Sequence, residues 1–125
     1  MSEDTDASGG PRFMADRMLG KLARYLRLLG YDVAYPGECP DSRLLARARE
    51  EGRVLLTRDR GISGSGCAAA GSPRVVEIRS SRPLEQLAQL VSEGWIRGWR
   101  GTRCPLCNSE LEPLEHHEAR HLLLP

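Results

Sequence analysis

Two aspartates that follow short apolar runs and sit among arginines are the residues of this chain best placed to do chemistry. Asp16 comes after Arg12-Phe13-Met14-Ala15 and before Arg17, and Asp59 follows Val54-Leu55-Leu56-Thr57-Arg58 and precedes Arg60. A third acid, Asp41, opens an apolar-periodic segment after the loop from Pro36 to Pro40. Three carboxylates gathered at one edge of a sheet would hold Mg²⁺ or Mn²⁺, hard ions that take oxygen ligands. Such an ion activates a water and stabilises the charge that builds on a scissile phosphate. Each acid also has a plainer reading. Asp16 and Asp41 precede predicted helices and suit N-caps, and Asp59 suits a turn or an arginine partner.

A second set of ligand types lies near the C-terminus. Of the four cysteines, Cys39, Cys67, Cys104 and Cys107, only Cys104-Pro-Leu-Cys107 has metal-ligand spacing. A structural zinc site takes four ligands. His117 and His121, spaced i and i+4, would complete a Cys₂His₂ set, although Glu115, His116 and Glu118 let the same stretch read as a polar tail.

These residues need elements to position them. Residues 12–15 read as a strand and 17–29 as a helix, with Met18, Leu19, Leu22, Ala23, Leu26 and Leu29 recurring at helical intervals and Arg17, Lys21, Arg24 and Arg27 on the other side. Gly30 closes that helix, and 31–35 form a second strand. Asp41 or Ser42 caps a helix that buries Leu44, Leu45 and Ala48 and runs to Glu51 before Gly52. The unbroken apolar run in 53–57 predicts a strand covered on both faces. Residues 61–72, rich in Gly, Ser and Ala, predict a loop or a single weak helical turn. A fourth strand at 74–78 leads to a helix over 83–93, with Pro83 at its start and Leu84, Leu87, Leu90 and Val91 inward. Alternation of strand and helix predicts a parallel sheet with helices on both faces, joined by right-handed crossovers. Ligands bind such sheets beyond the carboxyl ends of the strands, the edge that Asp16 and Asp59 occupy.

At 125 residues the chain has room for one core and an appendage. Apolar residues make up 40% and charged residues 28%, as in globular proteins. Residues 1–11 are acidic and poor in apolar groups, so they read as a disordered tail. Residues 12–95 form the expected catalytic domain, 96–103 a linker and 104–125 a separate small module. No apolar run is long enough to span a bilayer and no secretory leader is recognisable, so the expected location is the cytoplasm. The formal net charge of +1 is spread unevenly. Residues 12–31 set five basic side chains against Asp16 alone, and residues 74–103 set six arginines against Glu77, Glu85 and Glu93. That distribution accommodates a polyanion. Trp95 and Trp99, interleaved with Arg97, Arg100 and Arg103, suit either base stacking or docking of the linker onto the core, and docking is the preferred reading.

Asp16 through Asp32 and Leu55-Leu56-Thr57-Arg58-Asp59-Arg60 resemble the two motifs of the Mut-seven C-terminal RNase family, a branch of the PIN-like nucleases. The likeness runs from residue 12 to residue 124. It implies a PIN-like three-layer α/β/α fold with a mainly parallel sheet and metal-dependent cleavage of RNA. Carried over position by position, it implies that Asp16, Asp41 and Asp59 hold Mg or Mn and that Arg17, Lys21 and Arg58 hold phosphate, for which the guanidinium fork is suited. PIN-like sites commonly use a fourth acid, for which Glu38 and Glu77 are the candidates here. Cys104-Pro-Leu-Cys107-Asn108 resembles the first knuckle of the zinc ribbon that often follows this domain, and the ribbon's second cysteine pair would lie beyond Pro125. The alternative function is a non-catalytic RNA-binding or adaptor protein that keeps the PIN-like fold. RNA is the expected partner, with self-association or an inhibitory protein as further expectations and no membrane. A phosphoacceptor receiver is set aside, because Asp16 has no acidic neighbour and no lysine follows Lys21.

Overall fold

The strands are short, and their buried side chains alternate between two apolar clusters, which places the sheet between two layers of helix. The structure, a computed structural model, describes residues 10–63, 73–98 and 101–110. Along these run β1 (Phe13–Ala15), a 3₁₀ turn (Arg17–Leu19), α1 (Gly20–Leu28), β2 (Val33–Ala34), α2 (Asp41–Glu51), β3 (Val54–Thr57), α3 (Arg60–Ser63), β4 (Val75–Glu77) and α4 (Pro83–Ser92). The strands pair in parallel in the order β2-β1-β3-β4. Phe13 lies opposite both Val33 and Val54, and Leu55 lies opposite Val75.

Phe13, Ala15, Val54 and Leu56 join Leu22 and Leu26 of α1 and Leu90 of α4 in the larger cluster. Met14 and Leu55 turn the other way, towards Leu44 and Ala48 of α2 and Ile62 of α3. This is the α/β/α arrangement expected from the alternation of elements, and it is consistent with a PIN-like fold. Gly30 and Gly52 take positive φ at the helix ends where the sequence places them, at 97° and 63°.

The structure departs from the sequence expectations at several side chains. Met18, expected inward, is 64% exposed. It sits in the 3₁₀ turn, whose tighter winding takes it off the apolar face of α1. Arg27, expected on the solvent side, is buried, because its Nε and Nη2 donate to the Val33 carbonyl and its Nη1 donates to the Pro105 carbonyl. On α4, Leu84 and Val91 are exposed while Gln86 and Gln89 are buried. The glutamines serve backbone groups leaving β4: Gln86 donates to the Ser80 carbonyl at 2.8 Å, and Gln89 donates to the Glu77 carbonyl at 2.8 Å and accepts from the Arg79 N–H at 3.0 Å. Hydrophobic periodicity ranks glutamine as a surface residue and cannot register such an obligation.

The core continues through Ile96, with Trp95 packed against it. The Tyr31 hydroxyl accepts from the Arg97 N–H at 2.7 Å and lies 3.2 Å from the Gly98 carbonyl, to which it donates. Trp95 therefore docks as expected, whereas Trp99, Arg100, Cys67 and residues 64–72 fall outside the described residues. Among the described residues no helix is long and apolar enough to cross a membrane.

Candidate active site

β1 and β3 are neighbours whose onward connections run to opposite sides, β1 through α1 to β2 and β3 towards β4. Such a reversal leaves a crevice at the carboxyl ends of the two strands. Asp16 leaves β1 in an extended conformation and caps the 3₁₀ turn, its Oδ1 accepting from the Met18 N–H at 2.9 Å. Its Oδ2 accepts from the Thr57 hydroxyl at 2.5 Å and from the Arg58 N–H at 3.1 Å. The same Thr57 oxygen accepts from the Asp59 N–H at 2.9 Å. Thr57 is fully buried and ties the two aspartates together. Sequence reasoning passed over it, although its place two residues before Asp59 was the available signal.

Asp59 in turn receives the Gly61 N–H on Oδ1 at 2.7 Å, which shapes the start of α3. Asp41 is the first residue of α2. Pro40 holds the cap position and no side chain caps that helix, so the N-cap reading holds for Asp16 and fails for Asp41. No hydrogen bond or ion pair of the Asp41 carboxylate occurs among the described residues.

A cleft of about 430 Å³ brings the three together, lined by Asp16, Arg17, Met18, Glu38, Asp41 and Asp59 over a floor that includes Leu44 and Ile62. Of the two candidates for a fourth acid, Glu38 lines this cleft, and Glu77, which ends β4 opposite Thr57, is not among the residues that line it. Among the expected phosphate-holding residues only Arg17 lines it. Lys21 is exposed on α1, and Arg58, half-buried, has its Nε without a partner among the described residues. Arg17 lies 3.6 Å from Glu38, both side chains being largely exposed. An ion pair so placed is worth about 0–1 kcal/mol. Its guanidinium is therefore easily turned to another anion.

The donor chemistry suits a hard cation, since every acid in the cleft offers carboxylate oxygen. Asp16 has committed most of its acceptor capacity to protein donors, and Asp59 Oδ2 and the Asp41 carboxylate carry no hydrogen bond among the described residues. Among those residues no three His, Cys, Asp or Glu side chains stand together as a ready coordination group. Mg²⁺ is usually held through one or two carboxylates, waters and substrate phosphates, and that manner of binding fits the cleft.

The Cys104–Cys107 knuckle lies away from the cleft, against the edge strand β2. The Cys104 N–H donates to the Ser109 carbonyl at 2.9 Å and the Asn108 N–H donates to the Cys104 carbonyl at 2.8 Å, closing a tight turn with Asn108 at φ 70°. Hydrogen bonds at Ser109, then the one with Cys104, hold the Cys107 thiol below its ordinary pKa. His117 and His121 lie outside the described residues.

A family model described as the Mut7-C RNAse domain matches residues 11–124. The chain belongs to the Mut7-C RNAse domain family. One relative is the human protein named Exonuclease mut-7 homolog, 34% identical over 104 residues, a stretch that covers 79% of this chain and 12% of that protein. The Mut7-C chain therefore spans a small part of the relative's length. No solved structure matches it. Asp16 and Asp59, the two acids that Thr57 joins, both lie within the matched residues.

Proposed function

We propose that this Mut7-C domain is a metal-dependent ribonuclease that hydrolyses RNA phosphodiester bonds in the cleft between β1 and β3. The observation that carries the reading is the charge of the cleft. Four carboxylates, Asp16, Glu38, Asp41 and Asp59, line it against one guanidinium, that of Arg17. A phosphodiester brought into such a site is repelled unless a cation lies between, because charges gathered on one cleft act over less than the Debye length of about 8 Å, within which salt screens little. Asp59 and Asp41 are the residues with free oxygens to hold Mg²⁺ or Mn²⁺, with Asp16 completing the set. When bound, the ion supplies an activated water and neutralises charge on the phosphate. Arg17 leaves its weak pair with Glu38 to grip a phosphate oxygen, and Thr57 keeps Asp16 and Asp59 in register.

A second reading, an RNA-binding protein without turnover, draws support from Asp16, whose oxygens already serve three protein donors. Cleavage of RNA with Mg²⁺ or Mn²⁺, and with the metals chelated, separates the two. The ribonuclease reading expects metal-dependent cleavage that Asp16→Asn and Asp59→Asn each abolish. Asp16→Asn should also destabilise the fold by about 1–3 kcal/mol, since it disturbs a cap and a buried acceptor, whereas exposed Asp59→Asn should melt close to wild type. Cleavage unchanged in both variants would sink the ribonuclease reading, and salt-sensitive RNA binding with no metal-dependent turnover would establish the second.

A further inference from the structure

From the solvent face of α1 we infer the class of substrate: a track for one unpaired RNA strand that leads into the carboxylate cleft. The inference rests on the ribonuclease reading for what happens in the cleft, but not for how the strand is held. Lys21 and Arg24 stand at i and i+3 on α1, a spacing that puts them on one side of the helix, Arg17 precedes them in the 3₁₀ turn, and all three are exposed. Met18, Tyr25 and Leu28 are exposed beside them. The face thus presents three cations, an aromatic ring and two large aliphatic groups, with no acid. A face made only for solvent would carry polar groups in place of the last three. The buried face of α1 is already supplied by Leu22, Ala23 and Leu26.

Continuity with the cleft gives this face its direction. Arg17 and Met18 line the cleft themselves, and the Arg17 carbonyl accepts from the Tyr35 hydroxyl at 2.7 Å, which steadies the corner where cleft and helix meet. From there α1, Gly20–Leu28, extends roughly 13 Å at about 1.5 Å per residue. Charge complementarity points the same way. The cleft interior is acidic and accepts one phosphate with its cation, so the phosphates on either side of it need cations outside, and Lys21 and Arg24 form no ion pair among the described residues.

The apolar members decide between strand classes. A duplex stacks its bases inside and offers phosphates and sugars at its surface, whereas an unpaired strand offers base faces that stack on rings and apolar side chains. Tyr25, flanked by the cations, is placed to take a base while Lys21 and Arg24 take the phosphates next to it. Arg24, Tyr25 and Leu28 are thereby assigned to strand binding, outside the cleft.

The test measures binding of the full chain, with divalent ions chelated, to a labelled single-stranded oligouridine RNA and to a blunt RNA duplex of equal length. Wild type should bind the single strand at least several-fold more tightly. Tyr25→Ala should lose roughly tenfold in single-strand affinity and Tyr25→Phe should keep it, as expected of one base stack. Arg24→Ala should reduce the slope of log affinity against log salt by about one. Both sites are exposed, and a thermal melt of each variant checks that folding is intact. Equal affinity for duplex and single strand, or no change in Tyr25→Ala and Arg24→Ala, overturns the track. So does a shift in sedimentation with unchanged RNA affinity, which would mark the face as a contact with a second copy. The two proposals fail separately. A chain that binds single strands in this way but never cleaves them leaves the track standing and removes the ribonuclease reading. Cleavage by a chain whose Tyr25 and Arg24 variants bind normally does the reverse.

Discussion

Thr57 is the residue on which the candidate site turns, although it has neither charge nor metal-binding chemistry of its own. Its hydroxyl donates to Asp16 Oδ2 and accepts from the Asp59 N–H, so one buried oxygen sets the spacing of two acids that lie 43 positions apart in the chain. Thr57→Val keeps the shape and removes both bonds. It leaves a buried carboxylate oxygen and a backbone N–H short of a partner, which costs about 1–3 kcal/mol. Cleavage should fall steeply in Thr57→Val and recover in Thr57→Ser, which restores the hydroxyl. Melting curves and rates measured together separate the loss of fold from the loss of position, and an active Thr57→Val would show that Asp16 and Asp59 need no bridge.

At the scale of elements, backbone demands outweigh hydropathy at two places. α4 turns Gln86 and Gln89 inward and leaves Leu84 and Val91 in solvent, because the chain leaving β4 has carbonyls and an N–H to satisfy. Gln89→Leu makes the helix more amphipathic by the usual measure, yet it strands the Glu77 carbonyl and the Arg79 N–H. The expected result is a loss of about 1–3 kcal/mol in chemical denaturation, where a hydrophobicity argument predicts a gain. α1 shows the second case. A Cβ on Gly20 would come within 3.1 Å of the Tyr35 hydroxyl, so the glycine leaves room for Tyr35 to reach the Arg17 carbonyl.

Across the whole molecule, the knuckle is sewn to the far edge of the sheet and protects it. Val33 of edge strand β2 has its outward N–H taken by Asn108 Oδ1 at 3.0 Å and its carbonyl taken by Arg27. Edge strands left bare invite pairing with other chains. Asp32 anchors the same join, accepting from Arg53 and from Asn108 Nδ2, each at 2.7 Å. Burial pushes its carboxyl pKa up, but the hydrogen bonds from Arg53 and Asn108 and the charges of Arg53 and Arg103 outweigh this and hold it below the ordinary 3.8. A folded-state pKa below the unfolded one means that fewer protons are bound when folded. The stabilisation is therefore complete above the unfolded value and is lost as pH falls through the folded one. Melting temperatures followed from about pH 6 to about pH 3, across the carboxylate range, should show the gap between wild type and Asp32→Asn narrowing as acid is added. A gap that stays constant would remove Asp32 from the join.

Strand and helix order, the two capping glycines and the position of Asp16 and Asp59 just past the carboxyl ends of β1 and β3 were all legible in the sequence, because each depends on local periodicity, on a positive φ or on a contiguous run of residues. The side chains read wrongly were Met18, Arg27, Leu84 and Val91, whose burial is set by neighbours far along the chain or by a tighter turn. That Asp41 stands free of the cap, that Glu38 joins the cleft, that Thr57 couples the two strands and that Asn108 closes the sheet edge could be decided only by the tertiary structure. Each is a contact between segments that pattern treats as independent, and burial of backbone polar groups, which hydropathy does not count, determines where those contacts must form.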